Sequence, residues 1–210
     1  MSDSANTFNA HLLSILEIMA REGVKNAARG LSGMTGEQVA VEEPEAALVS
    51  FSELPNLVGG PEQEVVGIYL LIEGEMSGQI MLILPIDQAL ELTDLVLDRP
   101  IGTAKALSSM ERSALAEVGN LTCSFFLNSI SALTGLSARP SPPAVMIDMA
   151  GAILDIVVIT AGGVGDHIIV LRASFTKGDR EVQSQFWVIP ESSVLTAIAR
   201  RGWAPDGKTK

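Results

Sequence analysis

Three polar residues stand at a spacing that could build a site on one helix. Ser113, Glu117 and Asn120 occupy positions i, i+4 and i+7. At about 100° per residue they fall within roughly 60° of arc, so they project from one helical face. A carboxylate there could pair with a cation, and an amide could both donate to and accept from a water. Ser124 extends the polar stripe, which by itself is also typical of a solvated helix face.

The opposite side of the same helix is apolar. It carries Leu115, Val118, Phe125 and Phe126, which predict a surface packed into the core. The helix is expected to begin near Ser108, with Ser108 or Ser109 as its cap and Glu111 in the first turn. Thr134-Gly135 should close it near Leu133.

Metal-dependent and histidine-dependent schemes find little support. His11 and His167 are the two histidines of the chain, and they lie far apart in the sequence. Neither has metal-ligand spacing around it, and no nucleophile elbow accompanies the single cysteine, Cys123. Cys123 is more simply explained as a small buried apolar residue on the helix. We therefore expect no cofactor of the protein's own.

Composition limits the partners and the location. The chain has 210 residues, 47% hydrophobic and 19% charged, which excludes disorder and coiled coil. Lys plus Arg number 14 and Asp plus Glu 25, so the net charge is −11 and binding to nucleic acid or an anionic membrane is not expected. One cysteine fits a reducing compartment. The start, Met1–Ser4, lacks a basic region, and no apolar stretch reaches ~18 residues, so we expect a cytoplasmic protein without membrane insertion.

The remaining elements follow from periodicity and turn residues. The first predicted element is a helix over about Phe8–Met34, with a break at Gly23 and an end at Thr35-Gly36. Strands at Val65–Ile72 and Ile80–Leu84, a helix over Asp87–Leu97 and a linker at Asp98–Gly102 are predicted to follow. After the linker we expect the helix of the polar stripe, further strands, and after Pro190 a short helix ending near Arg200. The glycine-rich stretch Gly162–Gly165 lies between two β-branched runs, Ile156–Ile159 and Ile168–Leu171. This context predicts a hairpin turn, because a phosphate loop would need a helix directly after the glycines.

The same order of predicted helices, strands and turns occurs twice along the chain, which predicts a fused duplication. An offset of 99 superposes Thr35-Gly36 on Thr134-Gly135 and Pro44 on Pro143, while the later strands need an offset near 105 and a longer hairpin around Lys177–Asp179. Short turns between strands favour antiparallel pairing. We predict an α+β fold: one domain over 1–210 with pseudo-symmetric repeats at about 8–98 and 107–200, flexible ends at 1–7 and 203–210, and long helices over an antiparallel sheet.

The polar stripe also carries a family signature. Glu117 follows Ser113 after three intervening residues, Asn120 follows Glu117 after two, and Pro143 follows Asn120 after twenty-two. This pattern resembles the signature of the CheC family of chemotaxis phosphatases. Further stretches resemble that family as well: Asn26–Ala28, Leu31-Ser32, Leu133–Leu136 and Asp148–Gly151. The resemblance covers nearly the whole chain, and it implies an internally duplicated CheC-like domain.

The resemblance implies hydrolysis of the phospho-aspartate of the response regulator CheY. Asn120 would orient the attacking water, since phosphoryl transfer asks mainly for positioning and charge stabilisation. Glu117 would dock the regulator by pairing with one of its lysines. Ser113 would help at the contact surface, and Pro143 would shape the neighbouring segment. The regulator would hold the Mg²⁺.

The first half carries a degenerate copy of the signature. The offset of 99 places Ser14, Ile18, Arg21 and Pro44 where Ser113, Glu117, Asn120 and Pro143 stand. Ile18 lacks a carboxylate, and Arg21 is a donor that cannot accept a hydrogen bond. We therefore predict one working site per chain. The alternative function is a non-catalytic adaptor for the receptor deamidase CheD or for the regulator, since the resemblance implies such partners too.

Overall fold

The computed structural model describes residues 18, 21–33, 36, 38–41, 45–160, 167–177 and 180–190. Helix α1 is described over 21–33. The elements that follow, in chain order, are β1 Ala40–Val41, β2 Glu45–Ser50, a 3₁₀ helix Phe51–Val58, β3 Glu64–Gly74, β4 Gly78–Pro85, α2 Ile86–Val96, α3 Ser109–Thr134, β5 Ala138–Pro140, β6 Ala144–Met149, α4 Ala150–Thr160, β7 His167–Lys177 and β8 Arg180–Pro190. The ends at 1–7 and 203–210, the helix near Arg200, Ser14 and Pro44 lie outside the described residues.

The described strands form one eight-stranded sheet in which the paired strands run antiparallel. Its order is β1-β7-β8-β4-β3-β5, with β2 also pairing β7 and β6 also pairing β3. Strand β3 is central to the site because it pairs with β4 on one side and with β6 and then β5 on the other. The predicted α+β class with an antiparallel sheet and helices over it is confirmed. The internal duplication stays a prediction.

Both faces of the sheet are covered. Alternate residues of β3 point to opposite faces: Val66, Ile68 and Leu70 join a core cluster with residues of α1, α2 and α3. Val65 lies on the other face, in a cluster with residues of α4 and the 3₁₀ helix. The sheet is therefore the middle layer, which explains why β3 and β4 are almost continuously apolar.

Helix α1 packs against α3 through glycines. A Cβ added at Gly23 would lie 2.2 Å from Cδ2 of Phe126, so glycine is what allows this approach. The Asn26 side-chain amide donates a hydrogen bond of 2.7 Å to the Ser129 hydroxyl across the same contact. The predicted helix break at Gly23 is therefore wrong: residues 21–33 are continuously helical, and Gly23 serves the contact between helices.

The predicted hairpin at Gly162–Gly165 is also wrong at its first strand. Ile156–Ile159 belong to α4, and residues 161–166 lie outside the described residues. The β-branched composition favours a strand, but the buried residues Ile153, Leu154 and Val157 follow helical spacing and pack on the sheet. Tertiary burial has overridden the local preference. The second run, Ile168–Leu171, is in a strand as predicted.

The predicted helix ends are confirmed where the structure describes them. Gly135 has φ +69° and its N–H donates to the Ser131 carbonyl at 2.8 Å. Gly36 has φ +71° and donates in the same way to the Ser32 carbonyl at 3.0 Å. A left-handed glycine satisfies helix-terminal carbonyls without a Cβ penalty.

Candidate functional site

The start of α3 is fixed by a small ionic cluster. Glu111 accepts hydrogen bonds from the Ser108 hydroxyl and from Nη1 of Arg99, the latter at 2.9 Å. These two bonds, the serine's first, lower the pKa of the Glu111 carboxyl from 4.5 to about 2. Ser108 does occupy the cap position, but its side chain bonds Glu111 rather than a backbone N–H. The linker before α3 thereby anchors the first turn of the helix.

The predicted stripe lies on the outer face of α3. Ser113 and Glu117 are exposed, and Asn120 and Ser124 are half-buried. On the other side, Leu115 and Val118 are completely buried in the core with Phe126. The structure thus brings the three signature residues of the helix onto one outward face, as their spacing predicted.

The polar groups of this face are not engaged elsewhere. Within the described ranges, the side chains of Ser113, Glu117 and Asn120 make no hydrogen bond or ion pair. Glu111, on the same helix, shows the opposite state, since it is 7% exposed and paired with Arg99. A hydrogen-bonding amide and a carboxylate without intramolecular partners are available to a partner molecule.

Pro143 lies on the strand side of the site. It directly precedes β6, whose Val145 stands opposite Ile68 of β3. Ile68 in turn contacts α3, because a Cβ placed at Gly119 would be 2.4 Å from its Cγ2. The chain after Pro143 therefore runs beside the strand on which α3 rests. Pro143 is half-buried and has no N–H to donate.

Two of the four residues that the offset of 99 predicts as first-half counterparts are described by the structure. Ile18 is helical and half-buried, and Arg21 is exposed at the start of the described part of α1. Neither residue offers a carboxylate or an amide at these positions. Ser14 and Pro44 lie outside the described residues, so their placement is not described.

Three further observations concern metal ligands, membrane-spanning helices and the single cysteine. Among the described residues no group of three or more His, Cys, Asp or Glu could hold a metal ion. No helix in that part of the chain combines the length and the apolar character that a membrane crossing needs. Burial raises the pKa of the Cys123 thiol to about 12, which keeps this thiol protonated and unreactive at neutral pH.

The fold has counterparts among solved structures. The crystal structure of Thermotoga maritima FliY matches with a TM-score of 0.72 at 16% identity, over 90% of this chain and 94% of that one. A complex of CheX with CheY, BeF₃ and Mg²⁺ from Borrelia burgdorferi matches with a TM-score of 0.50 at 15% identity, over 81% and 96% of the respective chains. The chain therefore has the α+β architecture of the FliY and CheX structures.

The sequence comparisons are more specific. The CheC-like family model matches residues 110–147, a range that contains all four signature positions. The Bacillus subtilis protein named CheY-P phosphatase CheC is 28% identical over 190 residues, which is 89% of this chain and 91% of that protein. The resemblance to the CheC family that the signature indicated is thereby confirmed.

Sequence reasoning missed two residues whose contacts lie close to the predicted site. Gly119 stands between Glu117 and Asn120, where it sets the contact of α3 with the sheet. Arg99 belongs to the linker, and its bond to Glu111 holds the start of the helix. A glycine on the buried side of a long helix was the available signal for the first. No sequence signal paired Arg99 with Glu111.

Proposed function

We propose that this protein is a phosphatase of the CheY-P type, which hydrolyses the phospho-aspartate of a CheY-type response regulator in the cytoplasm. The observation that carries the proposal is the outward face of α3. There a carboxylate and an amide, Glu117 and Asn120, stand at signature spacing with no partner in the described chain. The name of the Bacillus subtilis relative supports this class of activity.

Asn120 is the group we assign to the water. In phosphoryl transfer there is little covalent work for the protein, which mainly holds the nucleophile in line and stabilises charge. The Asn120 amide oxygen accepts a hydrogen bond from the water, and the amide N–H₂ can donate to an acceptor of the regulator's site. Its place on a regular helix gives the amide a defined direction toward the partner.

Glu117 is the group we assign to docking. It lies one turn before Asn120 and is exposed, so its carboxylate can reach a lysine of the regulator. Pairing at this point would fix the rotation of α3 over the phospho-aspartate site of the regulator. Ser113, a further turn away on the same face, adds a hydroxyl to the contact surface. Pro143 shapes the chain leading into β6.

The proposal assigns the Mg²⁺ to the regulator. The Borrelia burgdorferi complex combines CheX with CheY, BeF₃ and Mg²⁺, which is compatible with that arrangement. We assign one site per chain, because Ile18 and Arg21 of the first half supply neither the carboxylate nor the amide. Because this chain has a net charge of −11 and the site around a phospho-aspartate is also acidic, we expect docking to depend on short-range pairing and not on long-range attraction.

The decay of a phosphorylated regulator tests the proposal. Regulator carrying labelled phosphate and Mg²⁺ is followed alone, with the protein, and with an equal concentration of the Glu117→Lys variant as the matched control. We expect decay to accelerate with the wild-type protein and much less with the variant. Equal decay in the presence and absence of the wild-type protein, together with binding of the regulator, would favour the non-catalytic adaptor.

A further inference from the structure

Gly119 lies where α3 contacts strand β3 of the sheet, beside the signature residues. It is buried, and a Cβ built on it would lie 2.4 Å from Cγ2 and 3.3 Å from Cβ of Ile68. Ordinary van der Waals contacts of a Cβ begin at 3.4 Å, so the space for a methyl group is about 1 Å short. Helix α3 therefore lies so close to β3 that only glycine fits at position 119.

We propose that Gly119 is a positioning residue for the site: it sets the distance of α3 from β3, and thereby the position of Glu117 and Asn120 relative to the phosphorylated regulator. The proposal rests on the function proposed above. Gly119 touches neither the substrate nor the water, and it acts through the two signature residues on either side of it. A side chain at this position would displace the turn that carries both of them.

The residues packed against Gly119 cannot easily move to make room for a Cβ. Ile68 is fully buried, and its clashing atom is attached to the branched Cβ, whose χ1 is stiff. One of the two other χ1 rotamers would bring Cγ1 into the same place, and the remaining rotamer would turn both branches into the close-packed core around Ile68. Ile68 is also held in the middle of β3, between β4 and β6. The strand is therefore the fixed partner, and the helix is the element that moves.

A displacement of the helix moves the reacting groups directly. Glu117 and Asn120 lie two residues before and one residue after Gly119, within the same turn. Because misplacement by about 1 Å can lower turnover on the order of 10²-fold, a shift of this size is sufficient to disable the water-positioning amide. A docking ion pair tolerates such a shift better than an in-line attack does, so kcat should fall more than KM rises.

The test is Gly119→Ala with two glycine controls. At Gly33, which is helical, an added Cβ meets nothing within 4 Å, so Gly33→Ala should leave kcat and KM unchanged and should not lower Tm, because alanine has the higher helix propensity. At Gly30 an added Cβ would lie 2.4 Å from the Phe125 ring, so Gly30→Ala should lower Tm and leave kcat unchanged. Gly119→Ala is expected to lower kcat on the order of 10²-fold and to raise KM only severalfold.

Relief of the crowding should restore turnover. Ile68→Ala removes Cγ2, and the double variant Gly119→Ala/Ile68→Ala is expected to recover the kcat of Ile68→Ala alone to within about threefold, because the two sites are in contact and not additive. A purely structural role for Gly119 would lower Tm with kcat intact per folded molecule. Wild-type kcat in the Gly119→Ala variant overturns the inference and leaves the proposed function standing.

A crystal structure of the Gly119→Ala variant gives a readout that does not depend on turnover. Residues 117–120 are expected to lie about 1 Å further from β3 than in the wild-type protein, the distance by which the space for a methyl group falls short. An unmoved helix overturns the inference even if the wild-type protein proves to have no phosphatase activity. A wild-type protein without activity but with a displaced helix in the variant would instead contradict the proposed function alone.

Discussion

The charge at residue 117 should control the affinity for the regulator while leaving the fold unchanged. Glu117 is exposed and makes no ion pair or hydrogen bond in the described chain. Its replacement by Gln or Lys therefore removes nothing from the folded protein, and the change in the free energy of unfolding should stay within about 0.5 kcal/mol. Any change in the affinity for the regulator must then come from lost or altered contacts at the interface.

The size of the effect follows from desolvation of a charge pair on binding. Removing one partner of a buried interfacial pair costs roughly 2–5 kcal/mol, which corresponds to a rise in Kd of about 30-fold to several thousandfold. Gln keeps the shape and loses the charge, so it belongs at the lower end of this range. Lys faces the regulator lysine with a like charge and should bind more weakly than Gln.

The assay is a titration of the regulator activated with BeF₃ and Mg²⁺, with thermal unfolding measured on the same samples. Glu111→Gln is the matched control, because Glu111 is six residues earlier on α3 but is turned inward to Arg99. This control should lower Tm and leave Kd nearly unchanged. If Glu117→Lys binds the activated regulator as tightly as wild type, Glu117 is a solvated helix residue and the docking role is refuted.

Two further outcomes are expected. Because the pKa of the Glu111 carboxyl is lowered to about 2 in the folded protein, its contribution to stability is complete above pH 4.5 and is lost as the pH falls toward 2. The difference in Tm between wild type and Glu111→Gln should therefore shrink over that interval, and a constant difference would contradict the cause given for the shift. Ile18→Ala and Arg21→Ala should leave turnover unchanged and calorimetry should count one activated regulator per chain. Two equivalent sites would contradict the assignment of a single working site.

The helical face of the site was predictable because its spacing is local. Ser113, Glu117 and Asn120 needed only the geometry of one helix, and the buried side of α3 followed from the same periodicity. The ends at Gly36 and Gly135 were predictable for the same reason, since a left-handed cap depends on residues within one turn.

Elements determined by distant contacts were not predictable in this way. The run Ile156–Ile159 has strand-like composition, but its segment packs as a helix on the sheet through Val157. Gly23 resembles a helix break, and its actual role depends on Phe126, far away in the sequence. The distance of α3 from the sheet likewise depends on Ile68, a residue far from Asn120 in the sequence.

Asn120→Ala is the most direct test of the proposed mechanism. Because Asn120 lies half-buried on the outer face without an intramolecular partner in the described chain, the variant should fold and bind the activated regulator as wild type does. The rate at which the protein accelerates decay of the labelled phospho-regulator should fall on the order of 10²-fold, since one reactant loses its positioning group. Wild-type acceleration by Asn120→Ala, at equal binding, would contradict the mechanism.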